Sequence, residues 1–192
     1  MRTIIYLIIA LLYFPFCSAE KRPYLLFSGT TNLPLAEKIA ECLDMKLSPV
    51  NISRFNDGEI KIKVEENVRN SDVFIIQPIC STEKSSVNDN LIELYLLIRT
   101  LKRSSAGTVT SVIPYYGYAR QDRKTESRVP ISASDVAMLL ELAGVDHIIC
   151  VDLHCGQIQG FFHETTVDNL HAAPTFVRYF SEKKDLVNPV AS

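Results

Sequence analysis

The chain has 192 residues, 47% of them hydrophobic, with 20 basic and 22 acidic side chains and a formal net charge of -2 at pH 7. That length holds one large domain or one and a half small ones, and the composition is that of a globular protein. Without an overall basic field, the charge balance argues against a nucleic-acid partner.

Residues 1–19 stand apart from the rest. Arg2 precedes an apolar run from Ile4 to Phe16, and the small residues Cys17, Ser18 and Ala19 follow. The run is too short to cross a bilayer comfortably, so the pattern predicts a secretory signal peptide; a buried N-terminal helix or an uncleaved anchor are the alternatives. The expected route is the secretory pathway, on to a reducing organelle, with no stable membrane span after signal removal; a cytoplasmic chain is the alternative. Cys42, Cys80, Cys150 and Cys155 then remain, with neither zinc spacing nor a tight framework. Cys42 on a predicted helix and Cys150 in a predicted strand read as packed thiols, and no structural disulfide is expected.

From Tyr24 the pattern is strand, turn and helix. Tyr24-Leu25-Leu26-Phe27 is a short apolar strand, Ser28 to Asn32 is turn chemistry, and Leu35, Ile39 and Leu43 recur every four residues beside Ala36 and Ala40. Gly29 with its hydroxyl neighbours forms either a plain tight turn or a phosphate cradle at a helix amino end. The period then changes: Ile60, Ile62 and Val64 alternate with Lys61, Lys63 and Glu65, a strand with one wet face, preceded by the turn signal Asp57-Gly58. Asp72 to Ile79 is a further apolar strand. Asn88-Asp89-Asn90 is expected to cap a helix that is apolar almost all round, from Leu91 to Leu101.

A strand over Val109 to Ile113 leads into Pro114-Tyr115-Tyr116-Gly117-Tyr118-Ala119-Arg120-Gln121-Asp122-Arg123-Lys124, then Ser127-Arg128-Val129-Pro130-Ile131. The basic run is either a solvated face or a phosphate-holding loop at a strand's carboxyl end. Arg120 can fork two hydrogen bonds to phosphate oxygens, Gln121 can orient a neighbouring oxygen, and Arg123 and Lys124 add point charge. Ser132 with Asp135 is expected to open a helix over Ala133 to Ala143 that ends at Gly144.

The last strand, Val145 to Val151, delivers Asp152-Leu153-His154-Cys155 and then Gln157-Ile158-Gln159-Gly160-Phe161-Phe162, with Val167-Asp168-Asn169 following. Asp152 and His154, two apart, share one side while the chain stays extended, as a metal or phosphate corner or as an Asx turn with a bonded histidine.

These motifs resemble the ribose-phosphate pyrophosphokinase family, the phosphoribosyl pyrophosphate synthetases. The likeness runs from Tyr24 to about Ser181 and also takes in Arg54-Phe55-Asn56-Asp57-Gly58-Glu59 and Asn88-Asp89-Asn90-Leu91. It implies residues 20–192 as the amino-terminal domain, with the carboxyl-terminal domain missing and 1–19 as an appended address. The implied fold is a three-layer α/β domain, mainly parallel, with helices on both faces and the Ile60 to Val64 strand as an antiparallel edge element.

The implied reaction transfers the β,γ-diphosphoryl group of ATP to ribose 5-phosphate, with magnesium (Mg2+) as cofactor, in a homo-oligomer. Arg120, Gln121, Asp122, Arg123 and Lys124 would hold the ATP phosphates. Phe55, Asp57 and Glu59 would hold the adenosine end, from a loop donated to a neighbouring subunit; Asp152, His154 and Asp168 would hold the metal. No catalytic residue is assigned, since the family's catalytic lysine and arginine loop and its ribose 5-phosphate loop match nothing here. The chain alone is therefore expected to be inactive, and a non-catalytic ATP-binding subunit is the alternative. Two departures stand out: a loop from Cys80 to Val87 several residues longer than usual, and His163-Glu164-Thr165-Thr166 where the family has Asp-x-Pro, with Glu164 as a candidate replacement for that metal-site Asp.

Overall fold

The computed structural model describes residues 21–183, so the predicted signal segment and Cys17 lie outside the described residues. Five strands form one parallel sheet in the order β1 (Tyr24–Ser28), β4 (Asp72–Ile76), β5 (Thr108–Ile113), β6 (His147–Val151) and β7 (Thr166–Leu170). Between β1 and β4 the chain makes helix α1 (Leu33–Cys42) and the antiparallel hairpin of β2 (Val50–Arg54) and β3 (Ile60–Val64). The antiparallel element is thus present as a separate two-stranded sheet rather than on an edge of the main one. Its apolar side, Val50, Ile62 and Val64, packs against the core that holds helix α2 (Val87–Arg103), which draws it off the sheet plane.

Alternation along the strands separates the layers. Phe27, Val73, Ile75, Val109 and Ile148 face α2 and α3 (Ser132–Ala143), where Leu94, Leu97, Ile98, Leu101, Ala137 and Leu140 complete a dry core. Leu26, Phe74, Ile76 and Val112 face the other way, onto Ala36 and Ala40 of α1. Helices therefore cover both faces, as expected of a parallel sheet that must bury two sides.

The helix ends refine three expectations. Helix α2 starts earlier than Asn88: Ser86 is its N-cap, in a reciprocal capping box with Asp89. Helix α3 has no side-chain cap: its N-cap residue is the apolar Ile131, and the hydroxyl of Ser132, its first residue, donates to Gln121. It does end as predicted at Gly144, whose φ of 93° is the left-handed geometry that glycine adopts without strain. Cys42, at the end of α1, is exposed rather than packed, while Cys150 is buried and burial pushes its thiol up to about 12; all four described cysteines are free. Helix α4 (Ala173–Glu182) buries none of its residues.

Candidate active site

Because every strand of the main sheet points the same way, the loops after β5 and β6 emerge side by side at its carboxyl rim. Between them lies a cleft of about 270 Å³ lined by Tyr115, Tyr116, Arg120, Asp152, Leu153 and His154, among others. Two sequence-distant motifs thus meet there.

The first loop is anchored from below. Tyr116 is buried, donates to the Ala133 carbonyl over 3.2 Å and meets Phe162 edge-on at 6.4 Å. Tyr118 takes a φ of 64°, unusual for a bulky side chain, and its hydroxyl bonds to Asn88. Gln121 is fixed twice: its Oε1 accepts from Ser132 Oγ at 2.6 Å, and its carbonyl accepts from Ala133 N at 3.1 Å. Arg120, Arg123 and Lys124 are left exposed. The Cys155 thiol beside Asp122 holds that carboxyl below the usual range against the effect of burial, with Arg123 and His154 adding to the pull. Burial, and then Asp122, push the Cys155 thiol up in turn. Cys155 and Ser132 were given no site role from sequence; their adjacency to His154 and to the Arg128–Ile131 span was the available signal.

The second loop turns sharply at Asp152, where φ is 46°, a conformation aspartate tolerates better than most residues. Its N–H donates to Leu170 O at 2.8 Å, and both carboxylate oxygens accept from Ala172 N at 3.3 Å. His171 Nδ1 lies 3.4 Å from Asp152 Oδ1. Asp152 keeps half of its side-chain surface in solvent, so water has access to the carboxylate.

Asp168 is not brought to this corner. It pairs in register with Ile149, short of the strand end, and its Oδ2 lies 2.9 Å from His147 Nε2. Among the described residues no three His, Cys, Asp or Glu side chains gather as a metal-holding group. Asp152 and His154 nevertheless fit magnesium, which takes few protein ligands and completes its octahedron with water and phosphate oxygens; Asp168 does not fit beside them.

Glu164 lies farther away, with Glu141, Val145 and Asp146 around a cleft at the opposite, amino-terminal end of β6. It is therefore no replacement for a metal-site carboxylate. The cause is local: the Glu141 carboxylate accepts from the N–H groups of His163, Glu164 and Thr165 at 2.8, 2.8 and 2.9 Å, which ties this turn to the end of α3.

Phe55, Asp57 and Glu59 sit at the hairpin tip and line neither of the two described clefts that Arg120 borders. Asp57 Oδ1 accepts from Glu59 N at 3.1 Å, and Lys61 Nζ stands 5.5 Å from the half-exposed Phe55 ring. Arg54 brackets the tip by donating to Gly58 O at 2.8 Å and pairing with Asp89 at 3.1 Å. The Gly29 turn is a clamp rather than an open cradle: buried Glu93 accepts from Thr30 N and Thr30 Oγ1 at 2.6 and 2.7 Å, the donors a phosphate would need.

Comparison with known proteins places this geometry. Residues 24–144 match the family described as the N-terminal domain of ribose phosphate pyrophosphokinase. The chain is similar to the ribose-phosphate pyrophosphokinase of Campylobacter jejuni, 48% identical over 162 residues, covering 84% of this chain and 51% of that one. The Thermotoga maritima enzyme is 49% identical over 161 residues, covering 84% and 50%. Among solved structures, phosphoribosylpyrophosphate synthetase from Mycobacterium smegmatis superimposes with a TM-score of 0.77 at 39% identity, covering 84% of this chain and 52% of that one. The chain thus spans about half the length of the curated relatives it matches.

These relatives also correct the expected secretory route. They are ribose-phosphate pyrophosphokinases of bacteria, which gives the secretory route no support. Among the described residues, which leave out 1–20, no helix is long and apolar enough to cross a membrane. One leading cation before an apolar run is a weak compositional signal for such a route.

Proposed function

Because the chain belongs to the ribose-phosphate pyrophosphokinase family, we propose that it forms the nucleotide-holding half of an enzyme that transfers the β,γ-diphosphoryl group of ATP to the anomeric hydroxyl of ribose 5-phosphate, yielding AMP and phosphoribosyl pyrophosphate. One observation carries the reading: Arg120, Asp152 and His154 line a single cleft at the carboxyl ends of β5 and β6.

In this reading Arg120 forks onto phosphate oxygens, and Gln121, held by Ser132, presents its amide N–H₂ to them. Arg123 and Lys124, exposed on the outer loop, supply charge that can move with the departing nucleotide. Asp152 and His154 would hold magnesium through one carboxylate and one imidazole, with Asp152 oriented by Ala172 N. Magnesium, when bound, would supply positive charge against the negative charge that develops on the phosphate oxygens. Phe55, Asp57 and Glu59, remote from the cleft of their own chain, are offered to the cleft of a second copy, which makes the working unit a homo-oligomer. Positioning and charge stabilisation then account for the chain's contribution.

The test is calorimetry with magnesium ATP on the wild-type and Arg120→Ala proteins. Loss of a hydrogen-bonded charge should cost about 1.5–3 kcal/mol, roughly one to two decades in affinity. Equal affinities would overturn the assignment.

A further inference from the structure

We propose that Asn169 is a positioning residue for the Asp152–His154 corner. Strand alternation turns Asp168 toward His147 on one face of the sheet and Asn169 to the other, where its Oδ1 accepts from Leu153 N at 3.0 Å. Leu153 is the residue between the two side chains that face the cleft. Two consecutive amides of this loop are thereby pinned by β7: Asp152 N by the Leu170 carbonyl at 2.8 Å, and Leu153 N by the Asn169 side chain. The left-handed residue, Asp152 with its φ of 46°, lies between these two bonds.

The second bond is the one only a side chain makes. After the bend the loop leaves the ladder, and among the described residues Leu153 N–H has no backbone acceptor. Asn169 supplies the missing acceptor, fixing the peptide plane that sets the directions of Asp152 and His154. Groups that orient a metal's direct ligands in this way are worth about 10- to 100-fold in metal affinity.

The role rests on the nucleotide reading for what the corner binds, but the Asn169–Leu153 bond does not, and the two are separable by experiment. Asn169→Leu removes the acceptor at similar size, whereas Asn169→Asp keeps it. Amide hydrogen exchange at Leu153 reports the bond, and manganese ATP binding followed by electron paramagnetic resonance reports the corner. In Asn169→Leu, Leu153 exchange should accelerate at least about tenfold while β5 and β6 stay protected, and manganese ATP affinity should fall about tenfold; Asn169→Asp should restore both. Unchanged Leu153 exchange in Asn169→Leu, or an Asn169→Asp protein as impaired as Asn169→Leu, would overturn the proposal. Wild-type manganese ATP affinity in Asp152→Asn would overturn the nucleotide reading alone, since the Leu153 exchange still reports Asn169.

Discussion

At the scale of single residues, two carboxylates organise turns that the sequence left ambiguous. Glu93, 4% exposed, bonds to Thr30 and, through its Oε1, to Gln77 Nε2 at 2.9 Å. A methyl group added at Gly29 would come within 2.1 Å of Gln77 Oε1 and 2.8 Å of Glu93 Oε1, so both buried side chains would have to move. Gly29→Ala should therefore destabilise the protein by roughly 1–3 kcal/mol, the range for overpacking, measured by urea denaturation. Glu141 is the second case. Burial raises its pKa, but the N–H groups of Thr165, Glu164 and His163, with the His163 charge, outweigh that and hold it below its ordinary value of 4.5. A carboxyl depressed in the folded state contributes stability that is present above 4.5 and lost as pH falls through the lower folded value. Stability measured from pH 6 down to about pH 3 should thus fall less steeply in Glu141→Gln than in the wild type. Parallel curves would contradict this role.

At the scale of elements, the N-terminus of α2 joins helix and hairpin. Asp89 accepts from Ser86 N and Ser86 Oγ through one oxygen and pairs with Arg54 through the other. Bonds from the Ser86 hydroxyl and then its N–H lower the Asp89 pKa, against burial and ahead of the Arg54 contribution. Asp89→Ala should cost about 1 kcal/mol as a capping loss and should also free the hairpin tip, read as faster amide exchange at Phe55, whose N–H now bonds to Glu59 O. Helix α4 is the counterpart without support: Phe176, Val177 and Phe180 are each more than half exposed. A ten-residue helix without packing is marginal in water, so its amides should exchange fastest among the described α-helices.

For the whole molecule, the parallel sheet gathers the proposed phosphate- and metal-holding groups at one rim, while the hairpin carries the proposed adenosine groups elsewhere. Residues 20–192 alone should accordingly bind magnesium ATP yet release no AMP with ribose 5-phosphate present. Holding one reactant forgoes the approximation of two, worth about 7–11 kcal/mol in well-oriented systems, which is roughly five decades or more of rate. A coupled AMP-release assay beside one of the longer relatives provides the comparison; similar turnover by both would show that the catalytic groups lie within residues 20–192.

The sequence by itself determined five of the seven described strands, the end of α3 and the two loops that meet at the cleft, because those depend on local periodicity, on Gly144 and on motifs that each lie within one loop; β2, β7 and helix α4 had no strand or helix reading. It also brought Asp152 and His154 to one cleft, although not along an extended strand: both follow the end of β6, and Asp152 is left-handed. Tertiary structure alone decided which groups meet. Asp168 was grouped with the metal corner from its motif, yet the register of β7 against β6 sets it beside Ile149 and turns it to His147. Ser132 was read as a cap, but the fold of the preceding loop delivers Gln121 to its hydroxyl, and Glu164 follows the Glu141 tie to the far end of β6. Ser132 shows the choice most directly: its near partner in sequence is the start of its own helix, and its actual partner is Gln121 on the preceding loop. Local patterns encode only the near one, whereas the sheet's register and the helix ends, set by burial of the core, choose between them.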